Sequence, residues 1–149
     1  MITWEYVAGF LDGDGSISVD VRSGDGESQG YKTRQRKIAR IRFTQRADSW
    51  LVLYKIHDFL KSHGVVSSVY HKKQPTNHAI VATKPAMDLE INALESVEKV
   101  LYHILPHLVV KQEVAFRAYR LLQECKAMRE KYGKFYRKHL SIAQGDNKE

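Results

Sequence analysis

The stretch Tyr6-Val7-Ala8-Gly9-Phe10-Leu11-Asp12-Gly13-Asp14-Gly15-Ser16-Ile17 constrains this chain more than any other. Trp4, Val7, Ala8 and Leu11 recur at threes and fours, which predicts a helix with one apolar stripe. Thr3 stands where an N-cap belongs, and Glu5 suits the positive first turn. After Gly15 the period changes to two. Ile17, Val19 and Val21 then face one way, and Ser16, Ser18, Asp20 and Arg22 the other. A helix must therefore turn sharply into a half-buried strand, with Gly13 and Gly15 easing the corner. Gly9 and Gly13 are four apart, so they share a helix face that a second backbone could approach.

Asp12 and Asp14 fall where that helix ends, at the partly negative end of its dipole. Carboxylates placed there call for a cation, and a divalent metal is the obvious one. An ordinary corner with solvated aspartates gives the same spacing, because Asp and Gly are the usual turn residues. A calcium-binding helix–loop–helix does not. Counting from Asp12, its sixth position should be Gly and is Ile17, and its twelfth should be Glu and is Ser23.

Residues 23–35 are rich in Gly, Ser and charge, and predict a loop between two strands. Alternation resumes over 38–44, with Ala39, Ile41 and Phe43 toward a core and Arg40 and Arg42 opposite. Two arginines on one strand face repel unless an anion lies above them. Asp48 is the expected N-cap of a helix carrying Trp50, Leu53, Tyr54, His57 and Leu60, closed by Gly64. Residues 65–72 and 78–83 are the expected third and fourth strands, joined by a turn at 74–77. Ser68, Tyr70 and Lys72 share one face of the former. Pro85 is expected to open a helical region with the stripe Leu94, Val97, Leu101 and Ile104 or Leu105, stopped by Pro106. A further helix is predicted from Lys111 to about Met128, with Val114, Ala118, Leu121, Leu122 and Cys125 inward. The basic, aromatic stretch beyond Arg129 reads as a short helix or an arm on phosphates, and about 141–149 as a frayed tail.

This order predicts an α+β domain spanning 1–149: four antiparallel strands, helices on one face, a polar basic surface on the other. Lys and Arg number 24 against 17 Asp and Glu, a net charge of +7, which points to a polyanionic partner such as nucleic acid. The single cysteine, Cys125, excludes an internal disulfide and reads as a buried thiol. No apolar run approaches the roughly 20 residues of a membrane span, and no signal peptide opens the chain. The acidic motif occurs once.

Val7-Ala8-Gly9-Phe10-Leu11-Asp12-Gly13-Asp14-Gly15 resembles the LAGLIDADG motif that names a family of homing endonucleases. Ala8, Gly9, Leu11, Asp12, Asp14 and Gly15 match it outright, while Val7, Phe10 and Gly13 are mild replacements. The resemblance implies an αββαββα fold with a saddle-shaped sheet. For a single motif it implies a homodimer, with Val7, Ala8, Gly9, Leu11 and Asp12 at the dyad and Asp12 in a structural, capping part. It implies that Asp14 holds a catalytic divalent metal, with the Gly13 carbonyl as a further ligand. Thr44-Gln45 and Val110-Lys111-Gln112 match positions where relatives orient water near the metal and place positive charge in the water pocket, so Gln45 and Lys111 join Asp14 as catalytic candidates.

The same resemblance implies double-stranded DNA as partner and no small-molecule cofactor. The site would be long and nearly palindromic, cut across the minor groove to leave short 3′ overhangs. Candidate DNA contacts are Ser18, Asp20, Arg22, Lys32, Arg34, Arg36, Arg40, Arg42, Ser68, Tyr70 and Lys72. Mg2+ is the implied cofactor, with other divalent cations such as Mn2+ as substitutes and Ca2+ binding without supporting cleavage. Small free-standing members are commonly encoded in introns. Some relatives bind nucleic acid without cutting, as RNA maturases, and that alternative stays open here.

Overall fold

Thr3 caps the first helix, its Oγ1 accepting from the Tyr6 N–H at 3.2 Å. The computed structural model describes residues 1–22, 36–73 and 85–132. In it α1 (Trp4–Asp14) runs directly into β1 (Gly15–Arg22), as the change of period requires. β2 (Arg36–Arg46), α2 (Leu51–Ser62), β3 (Ser68–His71), β4 (Ala86–Ile91), α3 (Leu94–Ile104) and α4 (Gln112–Tyr132) follow. The expected turn at 74–77, the strand at 78–83 and the basic segment beyond 132 lie outside the described residues, as do Lys32 and Arg34.

The corner between α1 and β1 has a steric cause. A Cβ at Gly15 would lie 2.9 Å from Leu11 Cα and 3.0 Å from its carbonyl oxygen, closer than side-chain carbons tolerate. Only glycine lets the strand leave across the last helical turn. Gly64 closes α2 at φ +72°, the left-handed conformation that ends helices.

The four strands form one antiparallel sheet in the order β1-β2-β4-β3. Register places Ile17 opposite Ile41, Phe43 opposite Leu89 and Val69 opposite Leu89. These side chains join Val7, Ala8 and Leu11 of α1, Leu53, Ile56 and Leu60 of α2, and Val97, Val100, Leu101 and Ile104 of α3 in one core. The period-two alternation thus puts every helix on one side and leaves Ser16, Ser18, Arg40, Arg42, Thr44, Ser68, Tyr70, Asp88 and Glu90 on the other. Trp4 pins α1 to its neighbours, stacked on His103 at 4.5 Å and edge-on to Phe59 at 4.9 Å.

Several boundaries differ from expectation. The segment after Pro85 is a strand, not a helix. Met87, Leu89 and Ile91 alternate and are buried, and Pro85 sits just before the ladder, where its missing N–H is harmless. β3 is shorter than 65–72 because Val65 turns into the core before pairing begins, and Lys72 lies just past its end. Asp48 does not cap α2. It lies in a single 3-10 turn (Ala47–Ser49) and pairs with Arg46 at 3.0 Å, while Trp50 takes the cap position without a side-chain bond. Trp50 and Tyr54 are exposed, and Ile56 completes the buried stripe instead. Val19 is also exposed. α4 continues a turn beyond Met128 to Tyr132, and Cys125 on it is half-buried. Among the described residues no helix is long and apolar enough to cross a membrane.

Candidate functional site

Asp12 and Asp14 leave the end of α1 in different directions, and the structure gives each a separate task. The Asp12 carboxylate accepts the backbone N–H of Val109 at 2.7 Å, of Val110 at 3.2 Å and of Lys111 at 2.9 Å. These are the orphan donors ahead of α4, whose positive end suits an anion. Lys111 completes the exchange, its Nζ donating to the Asp12 carbonyl oxygen. Desolvation pushes the Asp12 carboxyl up, but the three backbone bonds together outweigh it and hold it below the usual carboxylate range. The cation expected to balance a carboxylate at this helix end is, for Asp12, a helix N-terminus and a lysine.

Because the folded pKa of Asp12 is depressed, its stabilisation is complete above the unfolded value of about 3.9 and is lost as pH falls through the lower folded value. Asp12→Ala is expected to cost about 2 kcal/mol at pH 7, typical of losing a cap that satisfies several backbone donors. Urea unfolding at pH 7 and near pH 3 checks this. The difference between variant and wild type should shrink at the acid end, and a pH-independent difference would contradict the capping role.

Asp14 stays exposed and meets Gln45. In β2, residues 39, 41, 43 and 45 share the helix-facing side, and Gly15 pairs with Phe43. The residue before Gly15 therefore arrives beside the end of that row, where Gln45 Nε2 donates to Asp14 Oδ2 at 2.8 Å. Lys111 is held at the same end of α1, on Asp12. The three catalytic candidates so gather around one helix end, with Lys111 bonded to the residue two before Asp14 rather than to Asp14 itself.

Among the described residues no group of three or more His, Cys, Asp or Glu could hold a metal. Among the described residues the exposed end of α1 offers the Asp14 carboxylate and the adjoining Gly13 carbonyl. That hard-oxygen set suits Mg2+ or Ca2+ in kind but needs phosphate oxygens, water or a second chain to complete it.

Of the residues expected at a dyad, Val7, Ala8 and Leu11 are fully buried in the protomer's own core. The outward side of α1 is instead Tyr6, Gly9 and Gly13. A Cβ at either glycine would meet nothing within 4 Å among the described residues. Val109 and Val110, next to Asp12, are exposed apolar side chains continuous with this end of the helix.

The open face of the sheet carries Ser18, Arg40, Arg42, Ser68 and Tyr70 together, as side-chain parity predicts. Asp20, Arg22 and Arg36 are placed on the same strands by register alone. The anion needed by the two arginines is internal. Arg42 donates to Glu90 Oε2 from Nη2 at 2.8 Å and from Nε at 3.3 Å, and Arg40 Nε lies 3.4 Å from Glu90 Oε1. Tyr70 OH donates to Glu90 Oε2 at 2.7 Å, and Asp88 accepts from Thr44 Oγ1 at 2.6 Å. Sequence reasoning missed Asp88 and Glu90. The alternation Met87-Asp88-Leu89-Glu90-Ile91, read at period two, would have placed both acids on this face.

The model of the LAGLIDADG endonuclease family matches residues 7–95, more than half of the 149. The chain belongs to that family. Among solved structures, the fold resembles that of the homing endonuclease I-CvuI in complex with its target in the presence of Ca, with a TM-score of 0.62 and 17% identity over 80% of this chain and 65% of that one. It also resembles the homing endonuclease I-TnaI, with a TM-score of 0.58 and 23% identity over 91% of this chain and 78% of that one. A third likeness is to the meganuclease I-SmaMI bound to uncleaveable DNA, with a TM-score of 0.63 and 12% identity over 98% of this chain and 45% of that one. The chain thus spans less than two thirds of I-CvuI and under half of I-SmaMI. No curated protein sequence matches it. At these identities the structural likenesses establish a shared fold: an α+β LAGLIDADG fold with a four-stranded antiparallel sheet.

Proposed function

We propose that this LAGLIDADG protein is a site-specific, divalent-metal-dependent DNA endonuclease that acts as a homodimer. The observation that carries the reading is the Gln45–Asp14 bond of 2.8 Å at the exposed end of the motif helix. It joins the motif's last acid to a residue 31 positions away, on the strand that also carries Arg40 and Arg42. A capping corner would not require that partner, since Asp12 already does the capping.

Asp14 and the Gly13 carbonyl would hold a divalent cation, Mg2+ by the chemistry of the donors, with Mn2+ able to substitute and Ca2+ able to bind. When bound, such an ion supplies charge neutralisation at the scissile phosphate and an activated water. The chain's own residues do the rest. The Gln45 amide fixes the Asp14 carboxylate by its Nε2 hydrogen and leaves Oε1 to accept from a water. The Lys111 ammonium, anchored on the Asp12 carbonyl, adds fixed positive charge beside that end of α1. One carboxylate per chain supports a two-fold assembly in which Gly9 and Gly13 let two motif helices approach and each protomer addresses one strand. The bare outer side of α1 and the exposed Val109 and Val110 support the same contact. The sheet faces would then lie in successive major grooves of a long, nearly palindromic site, and the cuts would leave short 3′ overhangs.

The test is cutting of a plasmid library carrying randomised sites, with Mg2+ and with chelator. Linear products drawn from a narrow, two-fold-symmetric subset of sequences, in the Mg2+ arm only, are expected. Selective binding with no broken product would favour a non-cleaving binder, such as an intron RNA maturase.

A further inference from the structure

The open face of the sheet is less cationic than its arginines suggest. Arg40, Arg42, Asp88 and Glu90 form a cluster of two positive and two negative charges. Glu90 is its hub. It lies directly across from Arg42 in the β2–β4 ladder, and its side chain is only 12% exposed. One oxygen takes Arg42 twice and the Tyr70 hydroxyl, while the other accepts from Asn92 at 3.2 Å and faces Arg40. Asp88, 2% exposed, lies beneath, its Oδ2 3.7 Å from Arg42 Nε.

We propose that Glu90 is a positioning residue for base recognition, which locks the Arg42 guanidinium by its Nε–Nη2 edge so that the outer Nη1–Nη2 edge reads a guanine above the sheet. This rests on the DNA-binding reading above. A guanidinium fork reaches guanine O6 and N7 together only in one orientation. An unpaired surface arginine samples many rotamers and loses that freedom on binding, whereas Arg42 is ordered beforehand. The second consequence is electrostatic. Non-specific affinity comes from cations that displace counterions from phosphates. A cluster with no net charge releases none, so the locked Arg42 adds selectivity without general attraction to DNA. The Tyr70 hydroxyl, its proton given to Glu90, presents lone pairs beside Arg42 and can accept from a base amino group.

Among the described residues Arg40 Nε is buried without a hydrogen-bond partner. It lies 3.4 Å from Glu90 Oε1, at ion-pair distance. Arg40 is held at 13% exposure, below Arg42 at 32%, and Arg42 is the arginine presented to a ligand.

The experiment compares wild type, Glu90→Gln and Arg42→Ala in two assays: selection of bound sites from a random duplex library, and salt dependence of binding to an unrelated duplex. In wild type, one base pair of each half-site should show a guanine preference that Arg42→Ala removes. Glu90→Gln should reduce the preference at that same base pair at least about tenfold and leave other positions as they were. It should also tighten binding to the unrelated duplex, with the log–log salt slope steeper by about 1. A merely structural role would weaken both kinds of binding instead. An unchanged preference in Glu90→Gln, a loss spread over every position, or a slope that does not steepen overturns the proposal. If Glu90→Gln does not fold, Glu90→Asp takes its place: its carboxylate stands one methylene short of Arg42, so a preference reduced at that one base pair supports the lock, and an unchanged preference overturns it. A wild-type protein with no selectivity at any position would count against the DNA-binding reading itself.

Discussion

Asp14→Asn is expected to lower cleavage of a selected site by at least about a thousandfold, while affinity for that site in Ca2+ changes by less than about tenfold. The substitution keeps shape and keeps an oxygen for the Gln45 N–H, so the corner at the end of α1 should survive. What it removes is the negative charge that Asp14 offers to a cation at that position. Affinity should persist if, as proposed, it comes from the sheet face and its basic surroundings and not from this carboxylate. Single-turnover cleavage with Mg2+ beside equilibrium binding with Ca2+ separates the two. Wild-type cutting by the variant would mean that the acid next to Gly15 is only a turn residue.

Gly9→Leu should leave the protomer folded and abolish its activity. Gly9 is exposed, and a Cβ there meets nothing within 4 Å among the described residues. Replacing glycine by leucine within a helix even favours the helix by about 0.5–1 kcal/mol. A second motif helix packed against that face would be pushed away by four extra carbons. Sedimentation should show the variant as a monomer where wild type is a dimer, with circular dichroism unchanged and cutting reduced at least about a hundredfold. A dimeric, fully active variant would move the two-fold contact elsewhere on the surface.

The parts of this molecule legible in the sequence are those where local pattern and long-range packing agree. The stripe of α1, the Thr3 cap, the alternation of β1 and β2 and the Gly64 stop all follow from spacing. The pairing of Asp14 with Gln45 was legible only through the family motif. Physically it depends on the Gly15–Phe43 register, which no local signal states. Three things were hidden. The strand after Pro85 carries Asp88 and Glu90 between its apolar residues, and a proline followed by acids imitates a helix start. The pairing of Arg42 and Arg40 with Glu90 spans 48 and 50 positions and exists only once β4 lies beside β2. The three backbone donors that meet Asp12 lie 97 to 99 positions away and reach it only once α4 starts beside the end of α1.

Mapping both broken ends of the products cut from the randomised library tests the proposed activity most directly. With Mg2+, the two strands should be broken at fixed, slightly offset positions related by two-fold symmetry within one sequence pattern, and chelator should abolish every break. Breaks scattered without pattern, or breaks that persist in chelator, would contradict a metal-dependent site built from one Asp14 in each of two protomers.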